Sequence, residues 1–353
     1  MRAAMFYDRR DIRIEEVPPP VLRADTDVLV DVLACGICGT DASEWAHGPL
    51  FAPLAARHPA SGHQGPTVLG HELLGRVAAV GPAVSGLRPG DRVVSGGGVW
   101  CGECRWCRAG RYNLCAQWWV IGLDAHGALA EQVVVPAKIL VPVPRDLPDR
   151  AAVLAQPLAV ASHAVNRAAI SAGSRVLVVG AGAIGSLIIA ACARRDPDVL
   201  AAVDTSASQL AAAQSLGATD LLLASDRRLA EQALETAGGD GFDVVIETSG
   251  TPAGLRTAAA LVVRGGTLLL VGLHQPPSEL DLHSLTRREI TLVTSLSQIN
   301  PVDVPAAVDI LARSAVAETL ISRVLPLDEL VTAGLEPLAA GSLTGKAIVV
   351  PGG

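Results

Sequence analysis

Residues 174–195 read SRVLVVGAGAIGSLIIAACARR. The run from Ser174 to Val179 is β-branched and bounded by glycine, the pattern of a parallel strand buried on both faces. It passes into glycines at 180, 182 and 185 and then into an apolar, helix-forming run. Gly180 permits a tight turn, Gly182 admits a pyrophosphate against the backbone, and Gly185 lets the helix pack on the strand. The first helical residues, Ala183 and Ile184, bring free N–H groups and the positive end of the helix dipole to the phosphates. Asp204 ends a second strand, VLAAVD at 199–204. There a carboxylate accepts both ribose hydroxyls and repels a 2′-phosphate, while Thr205, Ser206 and Ala207 supply no arginine to hold one. NAD is expected rather than NADP. The stretches FDVVIETSG (242–250) and GTLLLVGL (266–273) extend the same α/β, doubly wound parallel sheet. Gly250 and Gly272 close them at the carboxyl edge, where the nicotinamide half of a dinucleotide lies.

At 353 residues the chain is long enough for two cores. Its net charge of −7, with no basic tail or basic-aromatic stripe, argues against nucleic acid as partner. No apolar run reaches the roughly 18 residues of a membrane span, and the start MRAAMFYDRRDIRIEE is charged and strand-like, not a secretory signal. A cytoplasmic protein is expected. Lys138 and Lys346 are the only lysines, which reads as compositional bias rather than chemistry. All five tryptophans and six of the seven cysteines precede residue 165. The segment from about 171 to 297 is rich in Ala, Val, Leu and Gly, so the first part is expected to carry the chemistry and the second the cofactor.

The stretch CGECRWCRAGRYNLC places Cys101, Cys104, Cys107 and Cys115 with two, two and seven residues between them. Short Cys-x-x-Cys steps fold thiolates around one point, and Gly102 and Gly110 let the backbone turn, so the spacing predicts a closed structural zinc lobe over about 98–118. Scattered thiols or two disulfides are the competing reading. Three further motifs supply donors for a second metal: ACGICGTD with Cys38, Thr40 and Asp41; LGHELLG with His71 and Glu72; and AQPLAVASHA with Gln156. Thiolate, imidazole and a carboxylate or amide oxygen form the mixed set of a catalytic zinc with one open position.

In chain order, CGICGTD, GHE, GDRV at 90–93, the cysteine lobe, PL at 157–158, GAGAIG and the closing GKAIVV resemble the zinc-dependent medium-chain dehydrogenase/reductase family, the alcohol and polyol dehydrogenases. The likeness covers essentially the whole chain. The stretch GPLFAPLAARHPASGHQGPTVLGHE resembles the 2,3-butanediol dehydrogenases, which carry a similar insertion before GHE. The resemblance implies a GroES-like β-rich catalytic domain from residues 1–157 and 298–353, with a Rossmann domain at 158–297 inserted between them. It implies that Cys38 and His71 bind catalytic zinc, with Glu72 a ligand or a group behind the ligands, and that Thr40 takes the substrate's hydroxyl proton. It also implies interconversion of a secondary alcohol (a vicinal diol, polyol or cyclitol) with its ketone, in a homodimer or homotetramer.

Two positions depart from the polyol branch. Ser43 stands where a proton-relaying histidine is usual, and Gln156 where Glu is usual. With Cys38 and Glu72 anionic, neutral Gln156 leaves the site more positive and the zinc a stronger Lewis acid; the alternative is a tolerated variant binding through its amide. Ser43 can relay through water, and His47 is a candidate replacement. His58 and His63, with His47, read as solvated loop residues of the insertion, Cys35 and Cys192 as core thiols, and His163 as packing or a hydrogen bond on the cofactor side. Trp45, Phe51, Trp118 and Trp119 flank the metal motifs and are candidates for the substrate pocket. Two other functions stay open: a specialised reductase of an unusual carbonyl, imine or alkene, and a non-catalytic cofactor-binding relative.

Overall fold

The computed structural model describes residues 1–274 and 277–352, so Gly353 of the expected last segment lies outside the described residues. The chain divides into two compact units, Met1–Ala159 with Gln298–Gly353, and Val160–Ser297.

The first unit is built on a seven-stranded sheet in the order Leu140–Pro142, Arg92–Ser95, Glu72–Val80, Asp27–Gly36, Lys346–Val350 and Ile321–Pro326, with Gln132–Pro136 also paired to Asp27–Gly36. Asp27–Gly36 alternates between buried and half-buried residues, as a strand with one face on a core must. Its end is buried throughout, because Gly36 pairs with Glu72 on one side and Ile348 on the other. A three-stranded sheet joins Asp11–Glu16, Arg2–Asp8 and Thr67–Val68. Phe6, Val30, Leu73, Val133 and Val349 lie in the core of this unit.

The second unit holds a six-stranded, all-parallel sheet in the order Asp220–Leu223, Val199–Asp204, Arg175–Val179, Phe242–Glu247, Val262–Leu270 and Thr291–Thr294. Chain order reverses between Arg175–Val179 and Phe242–Glu247, and ligands of such sheets bind outside the strand ends at that point. Two strand ends differ from the sequence reading. Phe242–Glu247 stops before TSG because the Glu247 carboxylate accepts the N–H groups of Ser249 at 2.8 Å and Gly250 at 3.0 Å, curling the chain. Val262–Leu270 starts earlier and stops at Leu270, since Val271 and Gly272 donate to the Glu247 carbonyl at 2.9 and 3.0 Å. Among the described residues, no helix is long and apolar enough to cross a membrane.

Candidate active site

Strand Asp27–Gly36 delivers the chain to Cys38, which caps the helix Gly39–His47. Asp41, fully buried, accepts the Cys38 N–H at 2.8 Å and holds this cap in place. Glu72 begins the neighbouring strand and His71 precedes it, so pairing of Gly36 with Glu72 brings the two motifs together. One donor atom each from Cys38, His71 and Glu72 lie within 4.8 Å of one another. Thr40 Oγ1 stands 3.7 Å from Cys38 Sγ.

Two surrounding charges went unassigned in the sequence. Asp41 Oδ1 is 3.6 Å from His71 Nδ1, leaving Nε2 as the ring nitrogen for a metal. Burial opposes a charge on His71, but Asp41 and Cys38 outweigh it and hold the imidazole well above the ordinary histidine range. Lys346, 3 % exposed, pairs with Glu72 Oε1 at 2.5 Å. Burial lowers the lysine's affinity for its proton, yet Glu72, with Cys38 and Asp41 behind it, raises its pKa above the usual value. Reading Lys346 as compositional bias is therefore corrected. The Glu72 charge is balanced from behind, which revises the charge count drawn around Gln156. Lys138 has a task as well, donating to the Trp100 carbonyl at the base of the cysteine lobe.

These residues fit a divalent cation. Glu72 Oε2 is buried with no hydrogen-bond partner, and an orphaned carboxylate oxygen is costly unless something answers it; His71 Nδ1 and Asp41 Oδ1, which also lack a hydrogen bond, face each other at 3.6 Å. Gly36 has no side chain because a Cβ would stand 2.0 Å from Glu72 Oε2. Gln156 is buried near the start of helix Ala155–Ala168, and its amide makes no hydrogen bond among the described residues.

The cysteine lobe fits zinc more closely. Its sulfurs lie 3.5 Å (Cys101–Cys115), 3.6 Å (Cys104–Cys107) and 3.9 Å (Cys101–Cys107) apart. Sulfurs 2.3 Å from a tetrahedral centre stand about 3.8 Å apart, whereas a disulfide needs about 2.05 Å. All seven cysteines are free, which removes the disulfide alternative. Gly102 and Gly110 adopt φ of +91° and +71°, the turns their positions require. Backbone N–H groups from Ala116 and Cys107 bring the Cys104 thiol down to about 6, while burial pushes Cys107 up to about 12. Pairing of Gly98–Val99 with Trp119–Val120 closes the lobe at its base.

The four aromatic candidates separate. Trp45 is core, with its Nε1 buried and unpartnered. Trp118 lies over Gly98, where a Cβ would meet its ring at 1.9 Å. Trp119 lines a cavity whose wall includes none of the metal donors. Phe51 is 40 % exposed and held by a residue not singled out in the sequence. The fully buried Glu44 carboxylate accepts the N–H groups of Leu50, Phe51 and Ala52 at 3.0–3.1 Å, tying the insertion to the helix that carries Thr40. His47 is exposed, while His58 and His63 are half-buried, so two of the three insertion histidines are only partly solvated. His58 Nδ1 accepts the Ser61 N–H at 3.0 Å. Cys35 and Cys192 are core thiols, and His163 is buried in its helix.

In the second unit each glycine of 180–185 stands in a different environment. Gly180 has φ +95°; a Cβ on Gly185 would lie 1.9 Å from the Gly180 carbonyl oxygen; and a Cβ on Gly182 would meet nothing within 4 Å. That open space sits at the cap of helix Ala183–Ala193, a cradle suited to a pyrophosphate. Asp204 ends its strand and accepts the Ala181 N–H at 2.7 Å and the Ser206 N–H at 2.8 Å. Gly272 is needed for close approach, since a Cβ there would stand 2.4 Å from Gly250 N and 2.6 Å from Glu247 Oε2. Buried Glu247 also pairs with His274 at 3.0 Å, a contact that no local motif announces.

With both sites in view, comparison with known proteins is direct. Residues 24–145 match the alcohol dehydrogenase GroES-like domain family and residues 183–313 the zinc-binding dehydrogenase family. An (R,R)-butanediol dehydrogenase of Neisseria gonorrhoeae is 31% identical over 99% of both chains. A sorbitol dehydrogenase of Bacillus subtilis is 34% identical over 77% of this chain and 75% of its own. The crystal structure of 2R,3R-butanediol dehydrogenase from Bacillus subtilis superposes with a TM-score of 0.91 at 29% identity, covering 99% of each chain. The chain belongs to the zinc-dependent medium-chain alcohol dehydrogenase family.

Proposed function

We propose that this chain oxidises a secondary alcohol, a vicinal diol or polyol, to its ketone with NAD, using residues 1–157 and 298–353 as catalytic domain and 158–297 as dinucleotide domain. The observation that carries the reading is the convergence of Cys38, His71 and Glu72, with the buried Glu72 Oε2 left without a partner. Relatives named butanediol and sorbitol dehydrogenases point to the same substrate class. Cys38, His71 and Glu72 would hold zinc, with Gln156 a further candidate donor; the ion would supply Lewis acidity and bound NAD the hydride acceptor. Asp41 orients His71, and Lys346 balances Glu72. Thr40 takes the hydroxyl proton. Ser43 and His47 follow Thr40 at i+3 and i+7 on one helix, and both are exposed, so that stripe leads the proton to water. Gly182, Ala183 and Ile184 receive the pyrophosphate across the turn and close packing that Gly180 and Gly185 allow, Asp204 takes the ribose and Gly272 the nicotinamide end.

A screen of diols, polyols and cyclitols by NADH absorbance tests this directly. Oxidation of at least one vicinal diol, lost on zinc removal and restored by zinc, is expected; activity indifferent to metal would overturn the reading. Cofactor choice has its own test. Replacing Asp204 with Gly and Thr205 with Arg removes the repulsion and adds a phosphate partner, so the NADP-to-NAD preference should rise at least tenfold, about 1.4 kcal/mol. An unchanged ratio of kcat/KM values would remove Asp204 from the ribose. A dimer or tetramer is supported by Leu292 and Leu296, 44% and 53% exposed in and after the sheet's edge strand, and a cytoplasmic setting by the unpaired cysteines.

A further inference from the structure

Two adjoining cavities of about 460 and 470 Å³ open in the first unit. They share Met5, Arg23, His63 and His126, and neither is lined by Cys38, His71, Glu72 or Gln156. One wall is apolar, formed by Val17, Val21, Val68, Trp119 and Ile121. Val21 is 69% exposed, a large aliphatic side chain left in water at the edge of a groove.

The other wall carries positive charge. Arg23 and Arg57 are both exposed. The Arg23 guanidinium makes no hydrogen bond or ion pair among the described residues, and Arg57 uses its Nε–H on the Gly62 carbonyl at 2.9 Å. Among the described residues the lining holds a single carboxylate, Asp27, and one of its oxygens accepts the backbone N–H groups of Arg23 and Ala24 at 3.0 and 2.9 Å. The histidines add one free donor. Thr67 gives its hydroxyl proton to the Gly65 carbonyl, so its oxygen accepts from His63 Nε2 at 3.0 Å. His126 Nδ1 accepts the Val68 N–H at 3.2 Å, which places the proton of the neutral ring on Nε2, free of any partner among the described residues. Lost hydration, with Arg23 acting in the same sense, lowers the pKa of both rings and so favours their neutral forms.

The rim thus offers cationic and N–H donors with little acid to answer them, and the groove beside it offers hydrocarbon and an indole. We propose that this compartment binds an amphipathic monocarboxylate, its carboxylate between Arg23, Arg57 and the His126 Nε2–H and its alkyl or aryl body against Trp119 and Ile121. A guanidinium fork matches a carboxylate in two parallel bonds, and a concave, mostly apolar wall with a few convergent polar groups is the form of a small-molecule site. The ligand site stands apart from the metal donors and does not depend on the reaction assigned to them.

Calorimetric titration of the zinc-loaded protein with octanoate, octanol and octylamine tests it. Saturable binding of one octanoate per chain is expected, with octanol and octylamine at least tenfold weaker. Arg23→Gln should weaken octanoate at least tenfold, Trp119→Leu should weaken it as well, and Arg23→Gln should leave alcohol oxidation at the parent rate because Arg23 touches none of the metal donors. Absence of saturable binding, equal binding of octylamine, or octanoate affinity untouched by Arg23→Gln would each overturn the proposal. Octanoate displaced by a diol substrate and indifferent to Arg23→Gln would place the carboxylate on the catalytic metal instead. Failure of the dehydrogenase assay alone would leave this site standing.

Discussion

Lys346→Met is expected to destabilise the protein by about 3–5 kcal/mol, the cost of stripping a buried ion of its partner. Methionine fills much of the same volume, so the loss falls on the Glu72 carboxylate, which is fully buried and answered on Oε1 by Lys346 alone. Urea unfolding of parent and variants stripped of metal at the Glu72 site measures the effect, so that no cation stands in for the lysine. Adding Glu72→Gln to Lys346→Met removes the stranded charge and should recover most of the loss. A single variant within about 1 kcal/mol of the parent would show that Glu72 does not depend on Lys346.

The second expected result concerns Asp41. Asp41→Asn keeps the shape of the helix cap but removes the charge facing His71 Nδ1, 3.6 Å away. Groups that orient a metal-binding histidine in this way contribute roughly 10–100-fold to metal affinity. Dialysis of the variant against a graded chelator should therefore release the Cys38–His71 zinc first, while the four-thiolate lobe keeps its own. Zinc content falling toward one per chain, with the melting transition of the lobe unchanged, is the expected outcome. Equal retention at both sites would reduce Asp41 to a helix cap.

The two variants also mark where sequence reading stopped. The glycine turn at 180–185 was legible because its parts are consecutive and each has a backbone reason: a positive φ, an open cradle and a close approach. The cysteine lobe was legible for the same cause. Lys346 was not, since it opens the apolar strand KAIVV and meets Glu72 across 274 residues of chain. Asp41 stood in view beside Cys38, yet its contact with His71 depends on the register that sets Gly36 against Glu72. Glu44 carried no motif; its task is defined by three backbone N–H groups arriving from the loop after its own helix. The strand ends at 247 and 270 were misplaced because one carboxylate and one carbonyl of Glu247 reorganise both.

The position of Lys346 also bears on how the protein is made. Its strand runs between Asp27–Gly36 and Ile321–Pro326, so a central rib of the first unit is translated after the whole of the second. At roughly 5–20 residues per second, the 274 residues from Glu72 to Lys346 take about 14–55 s to synthesise. During that interval the Glu72 carboxylate has no ammonium to face and gains nothing by leaving water. The second unit, complete once residue 297 has emerged, is free to fold in that time. The order of synthesis therefore makes the second unit's sheet available first and the lysine that faces Glu72 last.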